Sequence, residues 1–270
     1  MPATGLDTQD RRRRGAPDRP RYRTIRSEAG EGAAVAANLL ELGAYRRAPR
    51  MLLSNRYQFL YVHIAKTGGT SVRAALKRWQ WRDPYFLPQF ICARLSHMTD
   101  HRIASKFPRH AKIICAQEML PRELFDRLFK FAFVRNPWDL QVSSYHHLRR
   151  EKPELIAHCR SFDGFLRWKL DPDRPYQYDI DTSITMQTDY LVDLHGRLLT
   201  DFIGRYERLS EDFAEVFRRI GLPATDLPHK RRAMDRDKDY RCYYDDRTAE
   251  LVARHFARDL EVLGYRFERQ

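Results

Sequence analysis

The sequence predicts an α/β fold, a central parallel β-sheet flanked by helices in three α/β/α layers. Short apolar runs too continuous for half-exposed strands, and stretches of helical periodicity between them, point to it. No internal repeat of the kind that marks a solenoid competes with this reading. At 270 residues, 43% of them hydrophobic, the chain is long enough for one such core. The division expected is an Arg-rich tail, 1–50, and a single domain, 51–270. The tail carries eleven arginines against six acids and so +5 of the +13 net charge. With Arg11 to Arg14 followed by Asp18-Arg19-Pro20-Arg21, it has almost nothing to bury and is expected to be disordered. It serves either as a solvated tail or as an electrostatic contact with anionic surfaces, nucleic acid or lipid.

The first ordered element expected is a buried central strand from Gln58 to Ile64. A Gly turn follows, Lys66-Thr67-Gly68-Gly69-Thr70-Ser71, and then a helix whose Val72, Ala75, Leu76 and Trp79 fall at i, i+3, i+4 and i+7. Lys130 to Val134 reads as a second strand, and Pro137 opens a helix with Leu140, Ser144 and Leu148 in its apolar stripe. A third strand is expected at Phe202 to Tyr206. After it comes a helix N-capped by Ser210, with Phe213, Val216, Phe217 and Ile220 facing the core and Gly221 ending it. A last helix runs from Asp246 or Arg247 through Leu260.

Two of these strand-to-helix junctions can hold anions. In HIAKTGGTS, the glycines permit close approach of a ligand, the helix N-terminus offers free N–H groups and a positive dipole, and Lys66 adds a full charge. This is not the GxxxxGK[ST] loop, because Lys66 precedes both glycines. In FVRNPWDLQVSSY, Arg135 stands at a strand end with Ser143 two turns into the following helix, a fork and a hydroxyl suited to a phosphate. An ion pair of Arg135 with Asp139 and a plain helical serine are the alternatives. Two anion sites on one sheet edge suit one doubly phosphorylated ligand.

The pair KTGGTS and VRNPWDxxVSxY resembles the two binding motifs for 3′-phosphoadenosine-5′-phosphosulfate (PAPS) in the sulfotransferase superfamily, most of all its membrane-associated carbohydrate branch, family 2. DFIGRYERLSEDF, YRCYYDD and ARDLEVLGYRF extend the likeness over residues 58 to 268. The resemblance implies a P-loop-like sulfotransferase fold. It also implies transfer of the sulfuryl group of PAPS to a hydroxyl-bearing acceptor, a saccharide or glycoconjugate, with the bisphosphate PAP as product and no metal. It assigns Lys66, Thr67, Gly68, Gly69, Thr70 and Ser71 to the 5′-phosphosulfate, with Lys66 also catalytic at the bridging oxygen, and Arg135 and Ser143 to the 3′-phosphate. The chain departs from the family at Ala65, at Leu140, and at Lys230 to Arg232, where an asparagine is missing. Those three basic residues either fold over the nucleotide, hold an anionic acceptor, or are solvated.

Attack by a hydroxyl calls for a base titrating near neutral pH, usually a histidine. His110 is the first choice, from its place before the second strand where the family carries a Gly-His pair, although Arg109 replaces that glycine. His63 and His97 are alternatives, and Glu118 or Glu123 could orient a base or act as one. Tyr206 packs in the core or stacks on adenine. Trp81 remains a candidate for a sugar platform, since Trp79 and Trp138 have packing roles. The acceptor pocket is expected in loops 82–108 and 150–190.

Two other classes remain: a P-loop-like kinase or NTPase, which should show a metal-holding acid at a strand end, and a non-catalytic basic nucleotide- or nucleic-acid-binding protein. Four scattered cysteines make neither a zinc site nor a disulfide framework. No apolar run approaches the roughly 20 residues of a membrane span. Animal members of the branch the chain resembles typically carry an N-terminal span, so the resemblance without a span leads to the expectation of a cytoplasmic, bacterial protein. The oligomeric state is not legible.

Overall fold

The structure, a computed structural model, describes residues 51–84, 87, 91, 110–223, 225–227, 237 and 239–267. The expectations placed on residues 1–50, on His97, on the side chain of Trp81 and on Lys230 to Arg232 lie outside these. Four strands form one sheet in the order β1 (Leu52–Ser54), β2 (Phe59–Val62), β3 (Phe129–Val134), β4 (Phe202–Arg205). The last three are parallel, in the register Val62 to Ala132 and Val134 to Arg205. The sheet is nevertheless mixed, because β1 pairs antiparallel to β2, Leu52 opposite Tyr61. That strand was not expected from the sequence. It is three residues long, too short for a pattern to show.

Alternation along the strands divides the core. Phe59, Tyr61, Phe131 and Phe133 enter one cluster with Val72, Leu76 and Trp79 of helix α1 (Gly69–Trp81). Leu60, Val62, Ala132 and Val134 enter another, with Ile113 and Ala116 of α2 (Ile113–Met119) and Phe125 of α3 (Arg122–Arg127). Each fully buried aromatic or aliphatic side chain here contributes roughly 1.5–3 kcal/mol. A third cluster lies behind α4 (Pro137–Glu151), where Trp138, Val142, Tyr145 and Leu148 meet Phe165 and Leu166 of α5 (Phe162–Lys169).

Helix α4 begins as its sequence predicts. Pro137 is its first residue, and the Asn136 side chain caps it by accepting from Trp138 N. A short helix, α6 (Tyr178–Asp181), follows in the segment expected to vary with the acceptor. Helix α7 (Leu209–Arg219) buries Phe213, Val216 and Phe217, and Gly221 takes φ +69° just past its end. Ser210 is not its N-cap. Winding starts earlier, in a 3-10 turn over Tyr206–Arg208, so Ser210 sits inside the helix.

The last expected helix is two, α8 (Asp246–His255) and α9 (Ala257–Leu263), separated at Phe256. The break serves two cores at once: Phe256 packs behind α4, while Leu263 joins the cluster on the sheet. Among the described residues, no helix is long and apolar enough to cross a membrane.

Candidate functional site

Because β2, β3 and β4 are parallel, the segments leaving Val62, Val134 and Arg205 emerge at one edge of the sheet. Clefts at the carboxyl ends of parallel strands are the usual ligand sites of such sheets. A cavity of about 760 Å³ opens there. Of the residues picked out by sequence, Lys66, Gly68, Gly69, Thr70, Ser71, His110, Arg135 and Ser143 all line it.

The turn that carries Lys66 is built by its own residues. Lys66 takes φ +67° and Gly68 φ +82°, two left-handed steps that coil the backbone back on itself ahead of α1. Thr67 is fully buried and donates its hydroxyl to Ile64 O at 3.0 Å. Its side chain therefore holds the turn closed and does not line the cavity. A methyl group at Gly68 would meet Leu209 at 2.6 Å, and one at Gly69 would sit 2.0 Å from His63 Nε2. Gly69 is thus needed to admit an imidazole, where the sequence suggested only the approach of a ligand.

Arg135 is 3% exposed and fixed from several sides. Its Nε and Nη2 each reach Asp139 Oδ2 at 2.7 Å, and Nη1 donates to Lys66 O at 3.0 Å. The Tyr206 ring lies under the guanidinium, 3.9 Å from its carbon. Each Nη carries a second N–H, and Arg135 is among the residues that line the cavity. The ion pair with Asp139 and the place on the cavity coexist, because the pair holds the plane of the fork. The backbone of Arg135 is held too: Gln187 bonds its N–H and its carbonyl, both at 2.8 Å. Gln187 N and Thr188 N in turn donate to the fully buried Asp259 carboxylate at 2.8 Å each. Burial raises the Asp259 pKa and these hydrogen bonds oppose the rise.

His110 and His63 stand side by side, ring centres 4.8 Å apart, both on the cavity wall. His110 Nδ1 lies 3.0 Å from His63 O. A carbonyl only accepts, so Nδ1 carries the proton and Nε2 of the neutral ring is the basic nitrogen. Glu118 and Glu123 do not join them; both are exposed side chains on α2 and α3, outside the cavity. Trp79 is a core residue, as its spacing indicated, and Trp138 donates Nε1 to Ala249 O at 2.9 Å.

Several lining residues were not picked out from the sequence. His147 and Arg150 follow Ser143 at i+4 and i+7 on α4, so helical spacing alone could have found them. Tyr178, Asp179, Thr182 and Ser183 come from α6 and the turn after it, where no pattern announced them. Beneath the wall, Lys169 is fully buried. Its Nζ bonds Gln141 Oε1 at 2.7 Å and the hydroxyls of Ser144 and Ser183 at 2.9 Å each.

Residues 49–266 match the family described as the sulfotransferase family. Carbohydrate sulfotransferase 14 of Mus musculus is 25% identical over 236 residues, 78% of this chain and 56% of that protein. The Homo sapiens protein of that name is 26% identical over 238 residues, again 78% of this chain and 56% of its own. The chain thus spans little more than half the length of these relatives. An uncharacterized protein of Archaeoglobus fulgidus is 36% identical over 102 residues, 38% of this chain and 75% of that one. No solved structure matches.

Proposed function

The chain belongs to the sulfotransferase family, and from that membership we propose that it transfers the sulfuryl group of PAPS to a hydroxyl of a carbohydrate or glycoconjugate. The observation that carries the proposal is a single cavity lined by both anion-binding motifs, Lys66 with Gly68 to Ser71 and Arg135 with Ser143. The carbohydrate acceptor rests on the names of the relatives, and Tyr178 and Asp179 of α6 line the same cavity. Core clusters on the two faces of the sheet support reading the fold as the three-layer, P-loop-like sulfotransferase arrangement.

The residues present fit such a donor. Lys66 and the N-terminus of α1 supply positive charge at the end of β2, and Arg135 with the Ser143 hydroxyl supplies it at the end of β3. When bound, PAPS provides an activated sulfuryl group on a phosphate leaving group. In-line displacement loads negative charge onto the leaving oxygen. The Lys66 ammonium and the N–H groups of Gly69 and Thr70 stabilise that charge without having to reorganise. His110 receives the acceptor proton at Nε2, and the His63 carbonyl keeps Nδ1–H fixed so that this nitrogen faces the work.

Calorimetric titration with adenosine 3′,5′-bisphosphate, beside ATP and 5′-AMP, tests the reading. The bisphosphate is expected to bind selectively, and Arg135→Ala to weaken it on the order of 100-fold. Equal or tighter binding of ATP, or no nucleotide binding by folded protein, would overturn it.

A further inference from the structure

Apolar surface is scarce on the cavity wall. Among the described residues, its branched aliphatic side chains are Leu209, at the start of α7, and Leu227, in the segment after that helix. Both belong to the core cluster that α1 and α7 share with the sheet: Leu227 is one of its buried members, and Leu209 packs against it. Here the core reaches the cavity. Leu209 also adjoins the turn that carries Lys66, since a methyl group at Gly68 would meet its Cδ2 at 2.6 Å. An apolar shelf therefore begins where the turn assigned to the 5′-phosphosulfate ends.

A nucleotide held by its phosphates at Lys66 and Arg135 still has to place its base. One region of the wall carries His63, His110 and Tyr178, with His110 4.8 Å from the first ring centre and 6.4 Å from the second. That region is where an acceptor hydroxyl must meet His110 Nε2. Tyr206 has one face taken by the Arg135 guanidinium, and its edge lies against Gly68. Leu209 and Leu227 remain as the surface for an aromatic base.

The acids on the wall point to the same end. Among the described residues they are Asp179, Glu207 and Glu211. Asp179 is paired to Lys152, and Glu207 accepts from Asn136 N at 2.7 Å and from the Tyr265 hydroxyl at 3.0 Å. Glu211 is an exposed side chain in the first turn of α7, two residues on from Leu209. A carboxylate close to a phosphate is repelled by it, so Glu211 suits the uncharged end of the nucleotide. The 6-amino group of adenine is a donor that a carboxylate accepts, whereas the 6-oxo group of guanine is an acceptor that a carboxylate opposes.

Resting on the reading of the cavity as a bisphosphate site, we infer that Leu209 and Leu227 form the shelf on which the purine lies, and that Glu211 accepts from its 6-amino group and makes the site selective for adenine. The selectivity comes mainly from the wrong base, which sets two acceptors face to face.

The test is calorimetric titration of the full chain with adenosine 3′,5′-bisphosphate, guanosine 3′,5′-bisphosphate and a deoxyribose 3,5-bisphosphate that has no base. Wild type is expected to bind the adenosine ligand at least about tenfold more tightly than the guanosine one. Glu211→Gln, whose amide can turn to donate to a 6-oxo group, is expected to bring the two within about threefold. Leu209→Ala is expected to weaken the adenosine ligand about tenfold and to leave the abasic one unchanged. Equal affinity of the wild type for the two purine ligands, discrimination undiminished in Glu211→Gln, or equal loss of the adenosine and abasic ligands in Leu209→Ala would each overturn the inference. The wild-type comparison of the two purines is decisive even if a variant does not fold. Failure of the folded wild type to bind any of the three bisphosphates overturns instead the reading on which the inference rests.

Discussion

At Gly69 the side chain is excluded by one neighbour, the His63 imidazole, whose Nε2 lies 2.0 Å from where a methyl group would stand. Gly69→Ala is therefore expected to cost about 2 kcal/mol through overpacking of the turn. The same substitution made in a His63→Ala background should cost much less, because the clash is gone. A double-mutant cycle by urea denaturation measures the difference, and additive effects would show that the ring is not what requires the glycine. Tyr206 makes a related point at the same scale. Read from sequence as a core residue or an adenine platform, it lines the cavity and flanks Arg135 at 3.9 Å, a contact between groups 71 positions apart.

The junction of β3 and α4 concentrates the most work in the fewest residues. Asn136 caps α4, donates its backbone N–H to Glu207 Oε1 at 2.7 Å, and bonds the Tyr240 hydroxyl at 3.2 Å. Helix α4 carries Asp139, Ser143, His147 and Arg150, so loosening its first turn moves one side of the cavity. Asn136→Ala is expected to lower stability by about 1–2 kcal/mol from the lost cap, and Asn136→Asp, which can still cap, by less. Thermal denaturation of the two variants checks this. The start of α4 was legible in advance because Asn-Pro at a strand end is a local signal. The start of α7 was not, since a preceding 3-10 turn had already begun the winding before Ser210.

Across the whole molecule, the cavity depends on a relay of side chains distant in sequence. Asp259 on α9 holds residues 187 and 188, and Gln187 holds the backbone of Arg135. Asp259→Ala leaves buried N–H groups without acceptors and is expected to cost about 3 kcal/mol. Bisphosphate affinity should fall with it, by roughly tenfold, as Arg135 loses its support. Denaturation together with calorimetry separates the two effects; unchanged affinity in folded Asp259→Ala would show that Arg135 is held by Asp139 and Tyr206 alone.

The sequence by itself determined the strands β2, β3 and β4, the helices that follow them, and the two junctions with Lys66 and Arg135. All of these are written in neighbouring residues, as apolar runs, helical spacing and turn chemistry. Tertiary structure decided the antiparallel β1, the break at Phe256, the burial of Thr67, the pairing of His110 with His63, and the lysine under the cavity wall. Each of these depends on which surfaces meet when parallel strands bring distant segments to one edge. A residue such as Lys169 carries no mark in its own stretch of chain that it will be buried against Gln141, Ser144 and Ser183.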